Sequence, residues 1–209
     1  MNIEIIPVTA FQQNCSIIWN DEKKAAIIDP GGDAPKLIKR IDALGLDLQG
    51  ILLTHGHLDH VGAATKLKQY FNVEMMGSNS LDKILFAALP QQSRQFGVFE
   101  IDAFEPDHWL DKEGEILNIA GFEFEILHLP GHAPGHIGFI EHNEGIAFTG
   151  DVLFKQGIGR TDLLGGNHTD LINSIKQKMY QLPDDMVVLP GHGPHTTIGQ
   201  EKLNNPFVK

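Results

Sequence analysis

Residues 54–60 read Thr54-His55-Gly56-His57-Leu58-Asp59-His60, so one heptapeptide takes three of the 11 histidines of a 209-residue chain. It follows the apolar run Gly50-Ile51-Leu52-Leu53, which has the length and composition of a buried strand. It also opens a segment, Asp59 to Phe71, in which Val61, Ala64, Leu67, Lys68 and Phe71 recur at helical spacing. In an extended loop alternate side chains point the same way, so His55, His57 and Asp59 can converge while His60 faces elsewhere, a geometry that suits two neighbouring metals. Neutral imidazole and carboxylate are ligands of zinc, and they also accommodate iron and manganese. Taken alone, Asp59 equally fits a cap for the helix that follows it.

Three histidines and one carboxylate cannot satisfy two ions, and the remaining candidates stand at other strand ends. "LHLPGHAPGH" presents His132, "IAFTGD" ends on Asp151, and "VVLPGHGPH" carries His192, each after an apolar run and a glycine. His136, four residues after His132, is expected to hydrogen-bond within its own turn. His108, His128, His142, His168 and His195 read as surface or strand residues. Asp29 in "AAIIDPGG" either ends a strand at a turn or accepts a hydrogen bond that orients a ligand imidazole.

Composition narrows the partners. With 16 basic and 27 acidic residues the net charge is −11, which argues against a broad phosphate-contacting surface for nucleic acid, so an anionic substrate must be met by local positive charge. There is no uninterrupted apolar run long enough to span a membrane. The start, "MNIEIIPVTAF", reads as a first β-strand rather than a secretory signal, which places the protein in the cytoplasm. Cys15 is the only cysteine, which excludes an internal disulfide and a cysteine-built zinc site, and its setting in "NCSIIW" predicts a buried, inert thiol.

The runs "IEIIPV", "CSIIW", "AAIID", "GILLT", "FEFEILHL", "HIGFI", "GIAFTG" and "MVVLPG" all read as strands. Helical patterns lie between them. "DAPKLIKRIDALG" has an aspartate at the cap, a proline in the first turn and Gly45 as its stop, while Thr197 and Gln200 have capping-box spacing for a last short helix toward Leu203. Strands gathered in each half and followed by helices predict an α/β protein, a four-layer αββα sandwich formed by residues 1–209 as one domain. The segment from Leu89 to Asp107 has weak periodicity and is expected to be an excursion over the surface near the site.

The order H-x-H-x-D-H, G-H, T-G-D and P-G-H resembles the metallo-β-lactamase superfamily over nearly the whole chain. "THGHLDHVG", "LPGHAPGH" and "GDVLF...GIGRTDL" are most similar to its glyoxalase II (hydroxyacylglutathione hydrolase) branch. The resemblance implies that His55, His57 and His132 take a first metal, that Asp59, His60 and His192 take a second, and that Asp151 bridges them. It also implies a thioesterase that cleaves an S-2-hydroxyacylglutathione such as S-lactoylglutathione. Glyoxalase II usually carries a carboxy-terminal helical domain with basic glutathione-binding residues, whereas this sequence extends only 17 residues past His192, so a short form without that domain is expected.

Two metals about 3.5–4 Å apart can share a water and bring its pKa to near ~7, giving hydroxide at neutral pH. A thiolate leaving group, with a thiol pKa of about 8.5, needs no general acid, so a thioester suits such a site. Asp59 is the catalytic candidate, holding its metal and orienting the bridging hydroxide. Lys155 and Arg160 lie beyond Asp151 in a glycine-punctuated stretch and are candidates to bind an anionic substrate. Alternatively, Arg160 pairs with Asp162 and only braces the loop. "GIGRTDL" is also similar to the persulfide dioxygenases, in which His55, His132 and Asp151 would hold a single iron. Lactonase, phosphodiesterase and β-lactamase activities occur on the same fold. A non-enzymatic role predicts loss of a ligand, and every ligand candidate is present.

Overall fold

In the computed structural model, which describes residues 1–98 and 100–209, the apolar runs of both halves become strands. The first half gives β1 (Asn2–Val8), β2 (Gln13–Trp19), β3 (Lys24–Ile28), β4 (Asp47–Leu53) and β5 (Glu74–Gly77), which form one sheet in that spatial order. Its β1-β2 and β2-β3 pairs are antiparallel, and its β3-β4 and β4-β5 pairs are parallel. The second half gives β6 (Ile116–Ile119), β7 (Phe122–His128), β8 (Ile137–Glu141), β9 (Ile146–Gly150), a small ribbon of β10 (Leu153–Phe154) and β11 (Gly157–Ile158), then β12 (Val187–Pro190) and β13 (Thr196–Thr197). The second sheet is ordered β13-β12-β9-β8-β7-β6, and within it only β12 and β9 run parallel.

Period-two alternation sends successive side chains of each strand into different apolar layers. Cys15, Ile17, Ala25, Ile27, Ile51 and Leu53 face outward from the first sheet, against Leu37 and Ile41 of α1 (Ala34–Leu44), Leu67 of α3 (Ala64–Phe71) and Phe86 of α4 (Lys83–Ala87). Ile18, Ala26, Ile28 and Leu52 point the other way and meet Phe122, Phe124, Phe139 and Phe148 of the second sheet. The far face of that sheet, with Leu127, Ile140, Ala147 and Val188, is covered by Leu171 and Ile175 of α6 (His168–Gln177) and Ile198 of α7 (Ile198–Asn204). Three apolar layers between four structural layers make the αββα sandwich. Among the described residues no helix is long and apolar enough to cross a membrane.

Three local expectations are corrected. The helix expected from Asp59 onward is two pieces, α2 (Leu58–Val61) and α3, because the Ala63 N–H leaves the helical ladder to donate to Pro30 O at 2.8 Å. Asp33 occupies the cap position of α1, but its φ is 52° and its carboxylate accepts from Thr9 N at 2.9 Å, tying the β1–β2 turn to the helix. The expected surface excursion contains α5 (Leu89–Phe96), with Pro90 in its first turn and left-handed Gly97 ending it. Phe99, within the same stretch, lies outside the described residues. Gly45 and Thr197 act as expected, the first ending α1 at φ 63° and the second accepting from Gln200 N.

Candidate metal centre

The candidate ligands collect where the parallel strand pairs of both sheets end. Asp29 follows β3 and His55 follows β4, its parallel neighbour, while Asp151 and His192 follow β9 and β12, the parallel pair of the second sheet. Backbone bonds join the two edges: Ile137 N donates to Thr54 O at 2.9 Å and Asn14 N to Gly191 O at 2.7 Å. Two glycines are required by close approach. A Cβ at Gly191 would lie 2.3 Å from Asp151 Oδ1, and one at Gly31 would lie 1.5 Å from Asp59 O.

His55, His57 and His132 form one group whose nitrogens lie within 4.8 Å of one another, and Asp59, His60 and His192 form a second. His57 Nδ1 stands 2.9 Å from His132 Nε2, and His192 Nε2 stands 3.2 Å from Asp59 Oδ2. Asp151 lies between the groups, with Oδ2 at 3.6 Å from both His132 Nε2 and His192 Nε2 and Oδ1 at 3.4 Å from His60 Nε2.

Hydrogen bonds set the direction of the lone pairs. The Thr54 hydroxyl donates to Asp29 Oδ2 at 2.6 Å, so at 3.0 Å it can only accept from His55 Nδ1, which leaves His55 Nε2 bare. His60 Nδ1 donates to Asp29 Oδ2 at 2.8 Å and His132 Nδ1 to the Arg160 carbonyl at 2.7 Å, leaving their Nε2 atoms bare as well. His55 Nε2, His60 Nε2 and Asp151 Oδ1 are buried without a hydrogen-bond partner among the described residues. Such orphans are costly unless a cation meets them. Burial, reinforced by neighbouring imidazoles, lowers the pKa of His55 well below its ordinary value and that of His57 to about 3, so both are neutral, the form that ligates. Burial alone would raise the pKa of Asp151, but His60, His132 and His192 outweigh it and hold the carboxyl well below the usual range. Burial opposes charge on His60 and His192 too, but the neighbouring carboxylates outweigh it and raise the pKa of both, so these two imidazoles sit where positive charge is favoured. Neutral His55 and His57 beside such a carboxylate-rich pair fit divalent ions. Asp29, Thr54 and the Arg160 carbonyl orient the imidazoles. Asp29 also belongs to a third group, with His55 and His60, but its oxygens are already occupied by Thr54 N at 2.7 Å, the Thr54 hydroxyl and His60.

The His136 backbone bonds within its own turn, its N–H donating to Ala133 O at 3.4 Å, but its side chain does not. Its Nε2 accepts from Asp151 N at 3.1 Å, and its ring stacks on His55 at 4.6 Å, so it braces two candidate ligands. The sequence reading missed Thr54, Gln92 and Asp82. Gln92 accepts from Leu58 N at 2.9 Å and donates to Leu85 O at 3.0 Å, and Asp82 accepts from Gly56 N at 2.9 Å. For Thr54 the clue was adjacency to His55; for Gln92 and Asp82 no local signal existed.

A cavity of about 380 Å³ opens over the groups, lined by Phe11, Phe96, Phe154, Ile158 and Leu163 as well as Asp59 and Arg160. Arg160 makes a two-pronged pair with Asp162 at 2.7 and 2.8 Å, both side chains well exposed. Lys155 is not brought to this cavity; it lines a separate one with His195 and Gln200. Cys15 is buried in the first apolar layer, and burial pushes its thiol pKa up.

An αββα sandwich with two adjacent histidine and aspartate sets at its strand ends defines a class of metal-dependent proteins. Residues 8–192 match the family described as the Metallo-beta-lactamase superfamily, and the chain belongs to it. It is 65% identical over 208 residues to the Hydroxyacylglutathione hydrolase GloC of Haemophilus influenzae, covering 100% of this chain and 98% of that protein, which places it in the glyoxalase II-like branch. Among solved structures it is similar to the BLEG-1 B3 metallo-beta-lactamase (TM-score 0.92, 42% identity, 99% of both chains). It is also similar to TTHA1623 in a di-iron-bound form (TM-score 0.89, 35% identity, 98% of this chain and 99% of that one).

Proposed function

We propose that this protein is a thioesterase of the glyoxalase II type that cleaves S-2-hydroxyacylglutathione, such as S-lactoylglutathione, to the hydroxy acid and glutathione. The observation that carries the reading is the pair of adjacent donor sets with Asp151 between them. Full-length identity of 65% to a hydroxyacylglutathione hydrolase supports the substrate class. In this reading His55, His57 and His132 would hold one divalent ion, Asp59, His60 and His192 would hold the other, and Asp151, which lies between the two groups, would serve both. Zinc is the proposed metal, and the same donors accommodate iron or manganese. Bound there, two ions supply an acidified water and a Lewis acid for the thioester carbonyl.

The chain's own residues do the rest. Asp59 reaches the cavity and orients the attacking water through its carboxylate. Phe11, Phe96 and Phe154 give the approach an apolar wall. The leaving thiolate departs without a proton donor, which agrees with a cavity whose polar lining is the candidate ligands, Gln92 and Arg160. Arg160 meets a substrate carboxylate at the cavity wall. We read the chain as one domain acting in the cytoplasm, supported by ligands drawn from both halves and by its single buried cysteine.

The complete Asp59, His60 and His192 set sets this reading above a mononuclear-iron dioxygenase, which has no use for it. The metal-loaded protein is given S-lactoylglutathione and glutathione persulfide in separate assays, following thiol release in the first and oxygen uptake in the second. Thiol release without oxygen uptake is expected. Rapid oxygen uptake with negligible thioester cleavage would reverse the reading in favour of the dioxygenase.

A further inference from the structure

Asp82 is a buried carboxylate with no part in the chemistry above. It sits in a 3₁₀ turn, residues Ser80–Asp82, just ahead of α4 and outside every candidate ligand group. One of its oxygens, Oδ2, accepts from Gly56 N at 2.9 Å and from the Ser78 hydroxyl at 3.1 Å; the other, Oδ1, accepts from Gly135 N at 2.6 Å. Gly56 lies between His55 and His57, and Gly135 closes the turn that carries His132 and His136. The same segment grips the second turn again, since Asn79 N donates to Gly135 O at 2.9 Å. A Cβ at Gly135 would lie 2.8 Å from Asp82 Cγ, so only glycine lets that backbone approach the carboxylate. Burial outweighs the three hydrogen bonds and pushes the Asp82 pKa up to about 6.

We propose that Asp82 is a positioning residue for the metal centre: its two oxygens clamp the backbone of the His55–His57 loop to that of the His132–His136 turn, so that histidines from the two sheets converge before any ion binds. The inference rests on the metal assignment made above. A carboxylate is the side chain that can do this, because it accepts on both oxygens, whereas an amide of the same shape must turn a donor toward either Gly56 N–H or Gly135 N–H and release one loop. The clamp is made of main-chain bonds, so it holds the register of both loops and leaves the imidazoles to the partners that orient them.

Zinc affinity of the metal-free protein, measured by competition with a chromophoric chelator, tests the clamp in wild type, Asp82→Asn and Ser78→Ala. Asp82→Asn is expected to bind its tighter zinc roughly 10–100-fold more weakly, the usual effect of losing a partner that orients ligands. Ser78→Ala, which removes a hydrogen bond from the same carboxylate while leaving the bonds to Gly56 N and Gly135 N in place, is expected to bind as wild type does. A folded Asp82→Asn protein with wild-type zinc affinity overturns the proposal. Should Asp82→Asn fail to fold, amide hydrogen exchange on the metal-free wild type decides: protected Gly56 and Gly135 amides support the clamp, and exchange at the rate of exposed amides overturns it. Failure of the metal assignment looks different, because the wild type itself would then bind no zinc.

Discussion

His55, His57 and His132 are all buried, whereas in the other candidate set the side chains of Asp59 and His192 remain 21% and 30% exposed. The partners differ in the same sense. Both sets hold one ligand-to-ligand contact, His57 to His132 and His192 to Asp59, but in the first His55 and His132 are also held from behind by the Thr54 hydroxyl and the Arg160 carbonyl, an anchor that Asp59 and His192 lack among the described residues. Of the second set only His60 is anchored like the first, through Asp29. Ordering a side chain costs conformational entropy, and a set whose members are already fixed has less left to lose when a metal arrives. The first set, with two of its three members anchored and all three buried, is therefore the more preorganised of the two.

The largest effect should come from removing one member of each set. His55→Ala is expected to abolish hydrolysis and to lose the tighter ion. His192→Ala is expected to leave about one ion per chain, still tightly held, with hydrolysis down on the order of 10²-fold or more, because the shared water needs both ions. Elemental analysis after dialysis against a weak chelator, beside the thiol-release assay, checks both. If His192→Ala lost both ions while His55→Ala kept one, the order of the two sites would be reversed.

The contrast was not legible in the sequence, but the positions of most candidate ligands were, for a physical reason. His55, His57, His132, Asp151 and His192 each follow closely on an apolar run and stand beside a glycine, so strand, stop and ligand form one local signal, as in Ile146–Gly150 followed by Asp151, while Asp59 and His60 are marked only by their spacing within the same heptapeptide. α5 gave no such signal: "LPQQSRQF" is polar, buries only Leu89 and Ser93, and is helical because Pro90 starts it and Gly97 stops it. The break between α2 and α3 depends on Pro30, which lies 33 residues before Ala63 in sequence. The roles of His136 and Asp82 likewise depend on partners, Asp151 N and Gly135 N, that only the packed sheets bring near.

A smaller effect sharpens the comparison. Thr54→Val keeps the shape of the buried side chain but removes the hydroxyl that relays Asp29 to His55. Zinc affinity of the first site should fall roughly 10–100-fold, the range for a lost orienting partner. The second site, whose His60 keeps its own bond to Asp29, should change less. Stepwise zinc titration followed by calorimetry separates the two, and equal weakening of both sites would mean that Asp29, not Thr54, carries the effect.

Arg160 should give the smallest change, because its two halves serve different ends. Its carbonyl orients His132 and survives any substitution of the side chain, so Arg160→Ala should keep two ions at wild-type affinity. Its guanidinium pairs with Asp162 in an exposed setting where solvent screens the attraction, so the melting temperature should hardly move. What remains is its place on the cavity wall, the one cationic side chain there among the described residues. For a thioester bearing a carboxylate, KM should rise several-fold at constant kcat, the pattern of an interaction made equally in the bound substrate and the transition state. For an uncharged thioester KM should stay as it is. A fall in stability with both KM values unchanged would assign the side chain to bracing its loop through Asp162.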